Sequence, residues 1–181
     1  MQPSSLEDSL SAVARAHADT TQPQATFDAI DKAVASTIGH RLFTILVHHR
    51  AARESERVYT NMREAYPVGG RKPITDSPWM QQVMQRGLPY IGRTAGDLRE
   101  VFYDHELIES LGCRSVLNIP LRWQGETLGT LNMLHEENWY GTGHVELARV
   151  FAQLAVPAVM ALTAMPAMTT VTAQQTKEPQ A

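Results

Sequence analysis

The chain contains one cysteine, Cys113, and seven histidines, His17, His40, His48, His49, His105, His135 and His144. A catalytic or redox thiol needs its thiolate stabilised and a base or resolving partner beside it. Without a second cysteine, neither a disulfide couple nor a CxxC-type zinc site can be written, and Cys113 reads as a small buried residue. The histidines do not fall at metal-ligand spacing, and no H-E-x-x-H run occurs. His48 and His49 are adjacent, so on a strand they point to opposite faces. His105 and Glu109 form a lone i,i+4 pair of the kind common on solvated helices. No metal, cofactor or catalytic residue is therefore expected.

Binding chemistry has better candidates. Asn118 and Asn132 each interrupt an apolar run. A buried amide needs hydrogen-bond partners, or it costs roughly 1–3 kcal/mol. A ligand, a water or a nearby loop can supply them. With a simple two-residue turn at Gln124-Gly125, Asn118 lies across from Leu131 and Asn132 across from Leu117, on opposite faces; a one-residue bulge brings the two amides to the same face. Around them stand aromatics and methionines, among them Tyr59, Met62, Trp79, Met80, Tyr90, Phe102, Tyr103 and Trp139. Ligand pockets combine such side chains with a few polar anchors, although Trp79, Met80, Val83 and Met84 also fit a plain core stripe. Asp97 and Arg99 are possible polar anchors, and Arg71-Lys72 could receive an anion. The lining candidates are Tyr59, Trp79, Tyr90, Asp97, Tyr103, Asn118 and Asn132.

Several elements must position these residues. Ser5 and Asp8 have capping-box spacing ahead of Leu6, Leu10 and Val13, which predicts a helix near 5–18. Phe27, Ile30, Val34 and Ile38 make a second helical stripe, stopped by Gly39. Leu42 to Val47 reads as a strand, and Arg57 to Met62 as another. Ser77-Pro78 opens a helix that ends at Gly87. Leu88 to Ile91 is a short strand. Asp104 is the expected cap of a helix stopped by Gly112. The runs Ser115–Leu121 and Leu128–Leu134, around a Gly-containing connector, predict a β-hairpin, and Thr142 is the expected cap of a last helix over 141–164. Together these predict an α+β fold, with an antiparallel sheet, helices on one face and the 63–112 segment roofing a cavity on the other.

Composition narrows the function classes. The 181 residues carry a formal net charge of −3 and are 43% hydrophobic, ordinary for one globular domain. No basic field is available for nucleic acid, and the Gly69-Gly70 loop lacks the spacing of a phosphate loop. Val150–Thr176 is free of charge but interrupted by Gln153, Pro157 and Pro166. It reads as a buried helix followed by a tail rather than a membrane span. The N-terminus has neither the basic start nor the apolar core of a secretory signal. The expected location is the cytoplasm. The expected division is an N-terminal helical extension (1–23), a domain (24–164) and a flexible tail (165–181).

The stretch from Gly112 carries a resemblance. Gly112, Arg114, Ser115, Ile119, Pro120 and Leu121, then Gly125, Leu128, Gly129 and Leu131, resemble the central hairpin of GAF domains. The resemblance extends over about 24–164 and implies a GAF-like, PAS-related sheet with terminal helices on one face and a roofed pocket on the other. It implies a bacterial-type, non-catalytic sensor that binds a small molecule. Relatives bind cyclic nucleotides, tetrapyrroles, small anions or metabolites, but the N-K-F-D-E signature of the cyclic-nucleotide group is absent from this sequence. It also implies a homodimer through the first and last helices, read by a separate output protein. The alternatives are a reductase of the free methionine sulfoxide type, disfavoured by the single cysteine, and a dimerisation module without ligand.

Overall fold

The computed structural model describes residues 5–164; the expected tail, 165–181, lies outside them. The element order is α1 (Leu6–Ala16), α2 (Gln24–Thr37), β1 (Leu42–His49), β2 (Glu54–Thr60), β3 (Arg71–Pro73), α3 (Pro78–Met80, continued by a wide π turn, Gln81–Gln85), β4 (Tyr90–Gly92), α4 (Ala95–Val101), α5 (His105–Ser110), β5 (Ser115–Trp123), β6 (Glu126–His135) and α6 (Val145–Ala164). The strands form one sheet in the order β3-β2-β1-β6-β5-β4, with antiparallel pairing throughout.

Local chemistry explains the main boundaries. Ser5 and Asp8 form the expected reciprocal capping box on α1. The backbone of Gly39, with φ +91°, closes α2 by donating to the Val34 carbonyl, a left-handed stop that glycine makes without a Cβ clash. Gly112, at φ +76°, ends α5 in the same way. Two elements escaped the sequence reading. β3 is a three-residue edge strand paired to the start of β2. Helix α4 is announced by a Thr94/Asp97 capping box. Two expected caps are also corrected. Asp104 makes no capping bond to α5; its Oδ2 accepts from Tyr66 and Lys72 instead, and its Oδ1 is buried without a partner among the described residues. Thr142 begins a 3-10 turn, Thr142–His144, that precedes α6.

The α1, α2 and α6 helices cover one sheet face. Val13, Phe27, Ile30, Val34, Phe151, Ala155 and Val159 pack there on Phe43, Ile45, Leu117, Ile119, Leu131 and Met133. Helix α1 is part of this layer: Val13 is fully buried, and the His17 ring bonds the Leu154 carbonyl of α6 at 2.9 Å. Thr142–Ala164 has the length and mean hydropathy (1.6) of a membrane span, but one face of that helix is taken up by the sheet core. The opposite sheet face carries α3, α4, α5 and a smaller cluster of Leu42, Tyr66, Leu98, Ile108, Cys113, Val116 and Leu134.

Candidate functional site

Between that second face and its roof lies a cavity of about 280 Å³. Its floor is made by the alternating residues of three neighbouring strands: Thr44, Leu46 and His48 of β1, Thr130, Asn132 and Leu134 of β6, and Asn118 of β5. Ser55 and Arg57 of β2 and Lys72 and Pro73 of β3 extend it to one side. The roof is Trp79, Met80, Val83 and Met84 of the α3 segment, with Val101, Phe102, Tyr103 and Ile108 from the α4–α5 region. The π turn is closed by the Arg86 N–H donating to the Gln81 carbonyl at 3.0 Å; such wide turns recur beside binding sites.

Two β-bulges decide which side chains reach the floor. In the β5–β6 hairpin, Trp123 pairs with Glu126 around Gln124-Gly125, but Leu121 pairs with Gly129 and Arg122 with Thr127. Leu128 is the extra residue. Both turn residues have positive φ (48° and 82°), as a type I′ turn requires. The bulge sets Asn118 opposite Asn132, so both amides face the cavity. They form a relay across the floor. The Trp79 indole N–H donates to Asn118 Oδ1 (3.1 Å), Asn118 Nδ2 to Asn132 Oδ1 (2.7 Å), and Asn132 Nδ2 to Thr44 Oγ1 (3.2 Å). The amides therefore satisfy each other and fasten the roof to the floor.

The second bulge lies in β2. Ile45 pairs with Tyr59 and Leu46 with Arg57, leaving Val58 as the extra residue. Simple alternation would put Ser55, Arg57 and Tyr59 on one face. The bulge keeps Ser55 and Arg57 in the cavity and turns Tyr59 to the helix side. There it packs on Phe27 and Phe43 and donates to Asp28 and Asp31 of α2 at 3.0 and 2.8 Å.

The sharpest electrostatic features are Arg57 and His48, neither of them among the seven lining candidates. Arg57 is buried, 7% exposed. Its guanidinium lies 3.6 Å from the Tyr66 ring centroid, and Nη1 donates to the Pro67 carbonyl at 2.6 Å. Among the described residues no carboxylate pairs with it, and Nε is buried without a partner. His48 is equally buried. Its Nδ1 lies 2.7 Å from the Ser55 hydroxyl, while Nε2 has no partner. Burial, reinforced by the neighbouring His49, pushes its pKa down to about 3, so the ring is neutral at ordinary pH. Lys72, by contrast, is neutralised by Asp104 at 3.0 Å and lies over the Tyr103 ring. Burial works against the Asp104 carboxylate, but the Tyr66 hydroxyl and Lys72 hold its pKa below the usual value. The signal that could have found Arg57 is its spacing: Ser55 and Arg57 share one face of a strand whose other face carries Glu54 and Glu56.

Of the seven lining candidates, the structure brings together Trp79, Tyr103, Asn118 and Asn132. Three lie elsewhere. Tyr59 is on the helix side. Tyr90 stands behind Trp79, edge-on to it at 6.4 Å. Asp97 uses its carboxylate on the backbone N–H groups of Arg93 and Thr94, as the acid of the capping box. Cys113 is buried in the smaller cluster, and burial pushes its thiol up to about 11, the reverse of what a nucleophile needs. Among the described residues no set of three or more His, Cys, Asp or Glu side chains converges to hold a metal.

A sequence-family model described as GAF domain matches residues 11–159. No curated protein matches. Among solved structures, the chain is similar to the GAF domain of an Acinetobacter phosphoenolpyruvate-protein phosphotransferase, with TM-score 0.71 and 11% identity over 93% of this chain and 100% of that one. It is similar to residues 122 to 287 of a methyl-accepting chemotaxis protein, with TM-score 0.65 and 17% identity over 85% of this chain and 99% of that one. The chromophore-binding domain of a bacteriophytochrome from R. palustris also aligns, with TM-score 0.64 and 13% identity over 86% and 60%. At these identities the likenesses establish the fold alone.

Proposed function

The chain belongs to the GAF domain family, regulatory sensor domains of signalling proteins, and from that premise we propose that it binds a small molecule in the cavity over its sheet. The observation that carries this is the pairing of apolar walls with buried polar groups that no atom of the described residues satisfies, Arg57 Nε and His48 Nε2. Ligand pockets have this character: an apolar lining and few convergent polar anchors. Each buried unsatisfied donor costs about 1–3 kcal/mol, a cost that a bound acceptor removes. Binding without catalysis accords with the buried, proton-retaining thiol of Cys113. The domain is cytoplasmic in this proposal and passes its state to a separate output protein.

The test is a melting-temperature screen of a metabolite library against the wild type and Thr130→Phe, which fills the floor of the cavity. A ligand at one hundred times its Kd adds about 2.7 kcal/mol, or roughly 5 to 10 °C for a domain of this size. Hits are expected that stabilise the wild type and leave Thr130→Phe unmoved. A screen with no such cavity-dependent hit would count against the proposal.

The proposal includes a homodimer through the terminal helices. Leu6 of α1 and Val150 of α6 are 46% and 44% exposed, on helices whose inward faces already cover the sheet. A self-complementary pairing would cover these outward apolar positions. Light scattering at micromolar concentration should give twice the chain mass. A monomer mass that persists at higher concentration would reject this part of the proposal.

A further inference from the structure

We propose that the cavity's ligand is an organic carboxylate with an apolar or aromatic body, its carboxylate held at Arg57 and its body beneath Trp79. This deepens the sensor proposal and rests on it. The first ground is a charge without a counter-charge. Arginine is almost never fully buried unless paired, and burying a cation is costly without a partner. Arg57 is 7% exposed, and the lysine that lines the same cavity, Lys72, already pairs with Asp104. The sole carboxylate among the lining residues is Glu100, which is exposed on α4. The cavity therefore holds one buried positive charge that the described residues leave unbalanced.

The second ground is the shape of the remaining donor edge. Nη1 is committed to the Pro67 carbonyl, and one face of the guanidinium is covered by Tyr66. What remains is the Nε–Nη2 edge, with Nε unpartnered. Two parallel N–H groups on one edge match the two oxygens of a planar carboxylate. His48 stands on the adjoining strand, its partner Ser55 being two residues before Arg57 on β2. Its Nε2 is likewise unpartnered, and a neutral ring can donate there without adding charge. One unbalanced charge suits a monoanion better than a phosphate ester, which carries nearly two negative charges.

The third ground is the cavity's polarity from end to end. Ser55, Arg57 and Lys72 lie on β2 and β3, at one edge of the sheet. Trp79 is tied to Asn118 of β5, and the Val83 carbonyl lies 3.4 Å from the Thr127 hydroxyl of β6, so the α3 segment covers the other end. A ligand spanning the floor therefore meets a cation at one end and an indole, methionines and valine at the other.

Matched pairs of carboxylate and primary amide test the inference on the full chain. Phenylacetate, 4-phenylbutyrate and indole-3-acetate are titrated calorimetrically beside their amides. Replacing one oxygen by NH₂ removes the charge with little change in volume. The wild type is expected to bind carboxylates about ten-fold or more tighter than the amides. Arg57→Gln should abolish that preference, and Arg57→Lys should retain part of it. Because Arg57 also holds the loop through Pro67, the wild-type comparison decides the matter even if a variant fails to fold. Amides that bind as well as their acids would overturn the carboxylate inference and leave the sensor proposal standing. A wild type that binds no member of any pair at millimolar concentration also overturns it. The sensor proposal then falls only if the metabolite screen has likewise given no cavity-dependent hit.

Discussion

Gly129→Ala is expected to lower folding stability by about 3 kcal/mol or more, at the severe end of overpacking costs. The reason is a backbone approach at the heart of the sheet. Gly129 is buried in β6, opposite Val47 of β1 on one side and Leu121 of β5 on the other. A Cβ there would overlap the carbonyl oxygen of Leu46, with the Leu46 carbonyl carbon at 3.1 Å and Val47 Cα at 3.3 Å. These are main-chain atoms of a central strand, so no side chain can rotate away. Relief requires β1 and β6 to separate, which breaks ladder hydrogen bonds and disturbs the floor formed by Thr44, Thr130 and Asn132. A domain with ordinary stability of about 5–15 kcal/mol would lose much of it. Gly143→Ala is the control: nothing lies within 4 Å of its added methyl, and the change should stay within about 0.5 kcal/mol. Urea unfolding of both variants measures the difference. Equal midpoints would mean that the β1–β6 approach is not as close as described.

Acid should destabilise the domain well above the carboxylate range, and His48 should be the principal cause. In the folded chain its pKa is pushed down to about 3 from the ordinary 6.5, first by burial and then by His49. The unfolded chain therefore binds a proton below pH 6.5 that the native chain refuses until about pH 3. Between those values the unfolded state holds more protons, so stability falls as pH falls, with a limiting slope of about 1.4 kcal/mol per pH unit. His135 acts in the same direction, its pKa lowered by burial and then by Arg41. The Asp104 carboxyl, held low despite burial by Tyr66 and Lys72, contributes stability that is present above its ordinary 3.8 and lost as pH drops through its lower folded value. The two windows are separable. Denaturant melts between pH 5 and 6.5 should show the His48 slope, and His48→Gln should flatten it. A wild-type stability that does not change across that interval would mean that the ring accepts a proton in place, opening the β1–β2 edge of the cavity to water.

Local rules reached some parts of the site and not others. Trp79 and Tyr103 lie on the cavity wall because they sit in the segment that must cross the open sheet face, and a crossing chain brings its aromatics with it. Asp97 stays out of the cavity for a local reason: Thr94 stands three residues before it, and that spacing consumes the carboxylate at a helix start. The signal was present and α4 was legible. Asp104 shows the converse. Its position before an apolar turn suits a cap, yet Tyr66 and Lys72, far away in sequence, hold the side chain elsewhere.

What the sequence by itself determined is the sheet's core hairpin, the helical stripes and their glycine stops, the 112–131 pattern that marks the family, and the side of the sheet on which the roof must lie. These follow from short-range periodicity and turn chemistry, which act within a few residues. What only the tertiary structure decided is which side chains enter the cavity and in what state. A bulge is defined by two residues facing one on another strand, so neither Val58 nor Leu128 is marked as extra by its own neighbours in sequence. Yet these two residues turn Tyr59 to the helices and bring Asn118 and Asn132 to one face. Hydrogen-bond satisfaction is likewise a property of three-dimensional neighbours. The asparagines, conspicuous in sequence, satisfy each other, while Arg57 and His48, which local rules do not place in the cavity, are buried with hydrogen-bonding capacity to spare.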